Sequence, residues 1–195
     1  LTDIIKVISD KGFKTELVLS NFEETQGINS KADLARAELY FQNRLRERAL
    51  SGGVTLIDPK TVYFSHDTSI GKDTIVHPNV ILGPSVKIES EVEILSFSHL
   101  EGCTIANGSK IGPFARVRPE TSIEENVKIG NFVEIKKTTL KKGAKANHLT
   151  YIGDAEIGAG ANIGAGTIFC NYDGVFKHST QIGENAFIGS NSSII

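Results

Sequence analysis

Residues 69–100, SIGKDTIVHPNVILGPSVKIESEVEILSFSHL, place Ile70, Val76, Leu82, Ile88, Ile94 and Leu100 at successive steps of six. A helix repeats near 3.6 residues and a simple strand at 2, so neither generates a sustained period of six. After a one-residue slip the beat continues as Ile105, Ile111, Val117, Ile123, Ile129 and Ile135. A second slip precedes Leu140, Ala146 and Ile152; Ile157 and Ile163 follow, and the beat returns at Ile182, Ile188 and Ile194. Glycines come directly after many of these positions, among them Gly71, Gly83, Gly112, Gly130, Gly153, Gly158 and Gly164. Six-residue units with small residues at their turns define a mainly β fold, a parallel β-helix of hexapeptide repeats. Three units make one coil and coils stack about 4.8 Å apart, so residues 18 apart lie one above another. The inward aliphatics then form continuous columns, the core of a quasi-one-dimensional fold.

Upstream of Gly53 the pattern differs. Ile4, Ile5, Val7 and Ile8 follow a Thr2 cap and precede Gly12, the start-and-stop grammar of a short helix. Phe13–Leu19 then reads as a strand, and together they read as the edge of an α/β sheet. Ser30 and Asp33 have capping-box spacing, and Leu34, Ala37, Phe41, Leu45 and Ala49 recur at helical steps before Gly52 and Gly53. A helix of about 20 residues spans roughly 30 Å, long enough to link two domains. The expected organisation is a small α/β remnant at 1–29, a long linker helix at 30–52 and the β-helix at 53–195. One segment, Phe169–Gln181 (FCNYDGVFKHSTQ), has no repeat character and should leave the prism as a loop, where function often resides.

Of 195 residues, 39% are hydrophobic and 23% charged, which is enough for a real core. The 21 basic and 23 acidic side chains leave a net charge of −2, so nothing global points to nucleic acid or a membrane surface. Any bound anion must meet a local basic cluster. No apolar run reaches the roughly 18 residues of a spanning helix, and residues 1–12 lack the order of a secretory signal, so the expected location is the cytoplasm. Cys103 and Cys170 are far apart and unaccompanied, which suits buried or inert thiols rather than zinc or a disulfide. The absence of Met at position 1 reads as a start inside a longer product.

The repeat locates a candidate site. Val117 and Ile135 point inward 18 residues apart, so Arg116 stacks on Glu134 and Arg118 on Lys136. Two cations about 5 Å apart repel by roughly 0.8 kcal/mol in water, and a phosphate between them reverses the sign. Lys137 adds charge nearby; the alternative is a solvated basic face. The slip at Leu140 sets Tyr151 17 residues beyond Glu134, giving an outward strip of Arg116, Glu134 and Tyr151. His148 lies on the corner before Tyr151. Beside a phosphate site it is a candidate base, although a lone histidine is more often only a surface residue. His66, His77, His99 and His178 have no comparable setting.

Four ordered segments, GPFARVRP at 112–119, KIGNFVEIKK at 128–137, KANHLTYIGDAEIG at 145–158 and NIGAGTIFCNYDG at 162–174, resemble one family. It is the bifunctional bacterial N-acetylglucosamine-1-phosphate uridylyltransferase / glucosamine-1-phosphate N-acetyltransferase. LTDII at 1–5 and GINSKADLARAE at 27–38 extend the likeness over essentially the whole chain. The resemblance implies a nucleotidyltransferase domain, a linking helix and a left-handed β-helix that trimerises, with sites between subunits. It implies acetyl transfer from acetyl-CoA to glucosamine 1-phosphate, then uridylyl transfer from UTP to give UDP-N-acetylglucosamine, a peptidoglycan and lipopolysaccharide precursor. By the same resemblance His148 is the general base, and Arg118, Lys136, Tyr151 and Asn162 bind the sugar phosphate. Ala165, Asn171, Tyr172 and Ser190 match acetyl-CoA contacts, Glu134 supports the strip, and Lys177 matches a loop lysine that reaches a neighbouring subunit's site.

Asn29 matches a contact to magnesium and the uridine nucleotide, where its residue type alone suggests a turn beside a helix cap. The family's L-x-x-G-x-G-T-x-M loop and its other metal-binding aspartate do not occur in these 195 residues, so uridylyl transfer requires a preceding portion. The beat also stops at Ile195, short of the coils expected to complete the acetyl-CoA site. The acetyl half needs no metal. The competing classes are another hexapeptide acyltransferase, a non-enzymatic β-helix, and a nucleotidyltransferase whose β-helix only oligomerises.

Overall fold

The computed structural model describes residues 3–195, and the Thr2 cap lies outside the described residues. The chain divides into two compact units, the first ending at Phe41 and the second running from Gln42 to Ile195. In the first, α1 (Asp3–Asp10) buries no residue and α2 (Phe22–Thr25) is a single turn. Phe13–Leu19 forms no strand, and Phe13, Leu17, Val18 and Leu19 are exposed. A strand is stable only where neighbouring backbone pairs with it, and among the described residues of this unit there is no sheet to join. Among the described residues up to Gly27 the regular elements are therefore α1 and α2.

The third helix, α3 (Lys31–Ser51), starts on the expected cap. The Asp33 N–H donates to Ser30 Oγ at 3.1 Å while the Ser30 hydroxyl donates to the Asp33 carboxylate at 2.7 Å. The Ser30 hydrogen bond foremost, with the Asn29 N–H and Arg36, holds the Asp33 carboxyl below its ordinary range. From Gln42 onward α3 packs on the first coil: the Gln42 side chain donates to Phe64 O (2.7 Å) and accepts from Phe64 N–H (2.9 Å), as a neighbouring strand would. Arg46 donates to Val62 O at 3.1 Å. The helix thus covers an edge that would otherwise present unpaired backbone.

Above it rises a three-faced parallel β-helix. One sheet of eight strands forms the first face, from Thr55–Leu56 to Phe187–Ile188. The other two faces form a single 13-stranded sheet, because Glu134–Leu140 and Tyr151–Ile157 run around a corner without a break. Pairing is parallel, mostly at offsets of 18 or, at the slips, 17: Val117 opposes Ile135, and Ile135 opposes Ile152, while Thr55 opposes Ile75 at 20 and Asn162 opposes Phe187 at 25 across the loop. The marked aliphatics from Val76 to Ile163 are buried, and a second inward set, including Val80, Val86, Val92, Val127 and Val133, sits two residues before them.

Corners need a left-handed residue, and it recurs three positions before the inward aliphatic: Asp73, Asn79, Ser85, Glu91 and Phe97, later Phe114, Glu120, Asn126 and Phe132. The slips reappear here, since Lys137 follows Phe132 and Asp154 follows Leu149 by five rather than six. Phe97, Phe114 and Phe132 occupy consecutive corners with rings stacked at 4.9 and 5.2 Å, and Leu149 follows them. All four are roughly half exposed.

The excursion is narrower than Phe169–Gln181. Phe169 is buried in the strand Ile168–Phe169, while Thr180–Ile182 pairs with Ala155–Ile157 at an offset of 25. The departure is residues 170–179, closed by an antiparallel bridge between Tyr172 and Lys177. Cys103 is buried, which pushes its thiol up to about 12. Cys170 is a free thiol exposed at the start of the loop, so of the two expected states burial describes Cys103 alone. No helix among the described residues is long and apolar enough to cross a membrane.

Candidate active site

Gly130 brings two coils together. A Cβ there would fall 1.8 Å from Asn147 O, so only glycine permits this approach of Lys128–Asn131 to Lys145–His148. The register sets Asn131 beside His148. His148 Nδ1 lies 2.8 Å from Asn131 Oδ1, an acceptor, so in the neutral ring Nδ1 carries the proton and Nε2 keeps its lone pair. Leu149 N–H donates to Asn131 O at 3.0 Å, and the Thr150 hydroxyl donates to His148 O at 2.6 Å, fixing the backbone on both sides of the corner. The same ladder continues upward, with Gly166 N–H on His148 O (3.4 Å) and Asn191 N–H on Ala165 O (2.7 Å). His148, Ala165 and Ser190 therefore share one corner column, and Asn162 lies on the adjoining face between Lys145 and Phe187.

Around the corner from His148 lies the cationic strip. Arg116, Glu134 and Tyr151 stack as expected, and Lys136 opposes Gly153. The side chains reach diagonally, however. Arg118 Nη1 donates to Glu134 Oε1 at 2.9 Å, and Arg116 Nη1 stands 4.0 Å from the same oxygen. Arg118 is thus engaged by a carboxylate rather than facing only Lys136. Lys136 instead meets Lys177 from the loop of its own chain; the resemblance assigns that lysine to a neighbour's site. The hydrogen bond to Lys177 first, then burial and the Lys177 charge, hold Lys136 below its ordinary range, while the same bond raises Lys177. Two ammonium groups this close resist joint protonation, and an added dianion would let both be charged.

Tyr151 folds across Gly153, where a Cβ would lie 2.4 Å from the phenol oxygen and 2.6 Å from Asn171 Nδ2. Asn171 is nine-tenths buried, donating to the Asp154 carboxylate and lying 3.4 Å from the Tyr151 hydroxyl. It anchors the loop. Lys137 Nζ stands 3.8 Å from the buried Asp154. Tyr172 is exposed, with its hydroxyl on Gly174 O at 2.6 Å. Asp173 accepts from the N–H groups of Val175 (2.7 Å) and Phe176 (2.6 Å) and pairs with His178 (2.7 Å); His178 foremost draws its carboxyl down to about 2. His178 thus has a structural partner that its sequence context did not reveal.

Two residues of this neighbourhood escaped the sequence reading. Asn131 precedes His148 by 17, the offset that joins Glu134 to Tyr151, so the same arithmetic could have found it. Asp154 carried no such signal. Asn29 donates its backbone N–H to Asp33, which leaves its side-chain amide oxygen as a donor for a magnesium ion only in company with ligands from outside this chain, since among the described residues no three His, Cys, Asp or Glu gather around a metal.

These coils, corners and column define a hexapeptide-repeat β-helix, and the family profile "Bacterial transferase hexapeptide (six repeats)" matches residues 102–137. A solved structure described as a UDP-N-acetylglucosamine acyltransferase shares the fold, with a TM-score of 0.50 at 20% identity over 72% of this chain and 66% of that one. Along its whole length the chain is similar to proteins named Bifunctional protein GlmU. It is 55% identical to Bifunctional protein GlmU of Sphingopyxis alaskensis, over 100% of this chain and 43% of that protein. The corresponding protein of Zymomonas mobilis is 53% identical over 100% and 43%, and that of Azorhizobium caulinodans 50% over 100% and 44%. The chain spans less than half the length of these relatives.

Proposed function

We propose that this chain carries acetyl transfer from acetyl-CoA to glucosamine 1-phosphate. The observation that carries the reading is an imidazole with a free Nε2, three residues along the chain from Tyr151 and its cationic strip. Lys136, Lys177 and Arg118 would hold the sugar phosphate, with Tyr151 and Asn162 against the sugar. Ala165 and Ser190 continue the His148 column and suit acetyl-CoA entering along the corner, with the exposed Tyr172 of the loop as a further contact. The neutral amine attacks the thioester carbonyl, forming the C–N bond. His148 Nε2 takes the amine proton and returns it to the departing CoA sulfur as the C–S bond breaks. Fixing the phosphate converts a bimolecular attack into a local one.

In the longer protein we assign residues 1–29 to the end of a nucleotidyltransferase domain and 30–52 to a linker. That domain would use UTP and magnesium, the latter held by Asn29 with ligands outside this chain, to make UDP-N-acetylglucosamine in the cytoplasm for cell-wall precursors. A homotrimer is supported by the column of Phe97, Phe114, Phe132 and Leu149, large apolar side chains exposed at left-handed corners. The test is release of CoA thiol dependent on glucosamine 1-phosphate, in this chain and in the protein extended to both natural ends. Glucosamine 1-phosphate should work and unphosphorylated glucosamine should not, and His148→Ala should lower the rate by about 10²–10⁴. Silence from folded protein of both lengths would overturn the reading.

A further inference from the structure

We infer that Asn131 is the positioning residue for His148, holding its proton on Nδ1 so that Nε2 faces the reacting amine as a lone pair. The inference rests on the acetyl transfer proposed above and adds a residue and a charge choice to it. Asn131 grips this corner twice: its carbonyl accepts from Leu149 N–H at 3.0 Å, and its side-chain oxygen from His148 Nδ1 at 2.8 Å. The backbone grip survives any side-chain replacement, so the corner keeps its place while the imidazole is set free. Which ring nitrogen carries the proton is decided by the hydrogen bond that the other makes. A free neutral imidazole favours the proton on Nε2, the wrong tautomer for a base at that atom, and the Asn131 oxygen reverses this.

The amide is also uncharged. An aspartate at 131 would orient the ring equally well but would favour imidazolium, filling Nε2 with a proton at neutral pH. The nearest carboxylate on the strip, Glu134, is taken up by Arg118 and Arg116. The arrangement therefore orients the ring through a neutral amide, with no negative charge placed on its Nδ1 side.

The test compares wild type with Asn131→Leu, which keeps volume but removes the acceptor, and Asn131→Asp, which keeps it and adds charge. Nitrogen-15 NMR of labelled histidine in this chain should report a protonated Nδ1 in wild type and a shift toward protonated Nε2 in Asn131→Leu. In the protein extended to both natural ends, kcat of Asn131→Leu should fall at least tenfold, with KM for glucosamine 1-phosphate within about threefold. Asn131→Asp should recover most of kcat at high pH, with the acidic limb of the profile moved up by about one pH unit or more. An unchanged tautomer and pH profile in folded Asn131→Leu would overturn the inference. Absence of acetyl transfer in wild type, with the Nδ1 tautomer intact and lost in Asn131→Leu, would overturn the reaction while leaving the positioning role.

Discussion

Replacing Gly130 by alanine should do more damage than its one added carbon suggests. The new Cβ would lie 1.8 Å from Asn147 O, 2.5 Å from its carbonyl carbon and 2.8 Å from its Cα. All three are backbone atoms, so no rotamer change relieves the clash. The two coils must part locally by roughly 1 Å or more, and overpacking of this kind costs about 1–3 kcal/mol. The movement also stretches Leu149 N–H to Asn131 O (3.0 Å) and His148 to Asn131 (2.8 Å), worth about 1 kcal/mol each. A total of about 3–5 kcal/mol lowers the melting temperature of a domain this size by on the order of 10 °C. The assay is thermal unfolding followed by circular dichroism, with Gly183→Ala in the same 195-residue chain as control, since a Cβ there meets nothing within 4 Å. The control should stay within about 0.5 kcal/mol of wild type. Equal melting of the two variants would refute the close-approach argument, and with it the reason given for the placement of His148.

Three further outcomes follow from the geometry. Leu149→Gly removes a left-handed strain of about 1–2 kcal/mol but also removes an apolar side chain from the corner column. Isolated chains should therefore melt higher while the proposed trimer, measured by analytical ultracentrifugation, dissociates more readily; unchanged association on combining it with Phe114→Ala would take this column out of the proposed interface. For the loop, the Asp173 carboxyl lies near 2 when folded against an ordinary 3.8, so its contribution is complete above about pH 4 and lost as pH falls toward 2. Amide exchange at Val175 and Phe176 should accelerate in that window, and His178→Ala should move the onset to higher pH. Lys177→Ala removes the hydrogen bond and the like charge that hold Lys136 down, so carbon-13 titration of Lys136 should move upward.

The columns were legible because a six-residue beat fixes stacking wherever the slips can be counted, and Arg116 over Glu134 and Glu134 over Tyr151 follow from that counting alone. Side-chain reach was not legible. An arginine spans more than one coil spacing, so Arg118 could turn to Glu134 rather than wait above Lys136. The loop was seen as a break in the beat, but its edges were missed because Phe169 and Thr180 still pair while lacking the repeat's residue types. Phe13–Leu19 failed for a different reason: its residues suit a strand, and a strand is a property of its neighbours as well as of itself.

The coil also serves as a ruler. The His148 column and the Lys136 strip draw on the coils between Pro113 and Ser193, while those from Val54 to Leu95 serve as a pedestal against which α3 is seated. Because each coil touches only the ones above and below, excising one 18-residue turn of pedestal should shorten the rod by about 4.8 Å and leave the upper geometry intact. The distance between the Gln42 seat on the first coil and the corner at His148 is thus adjustable in whole coils, a quantised spacing that can change without renegotiating the contacts at either end.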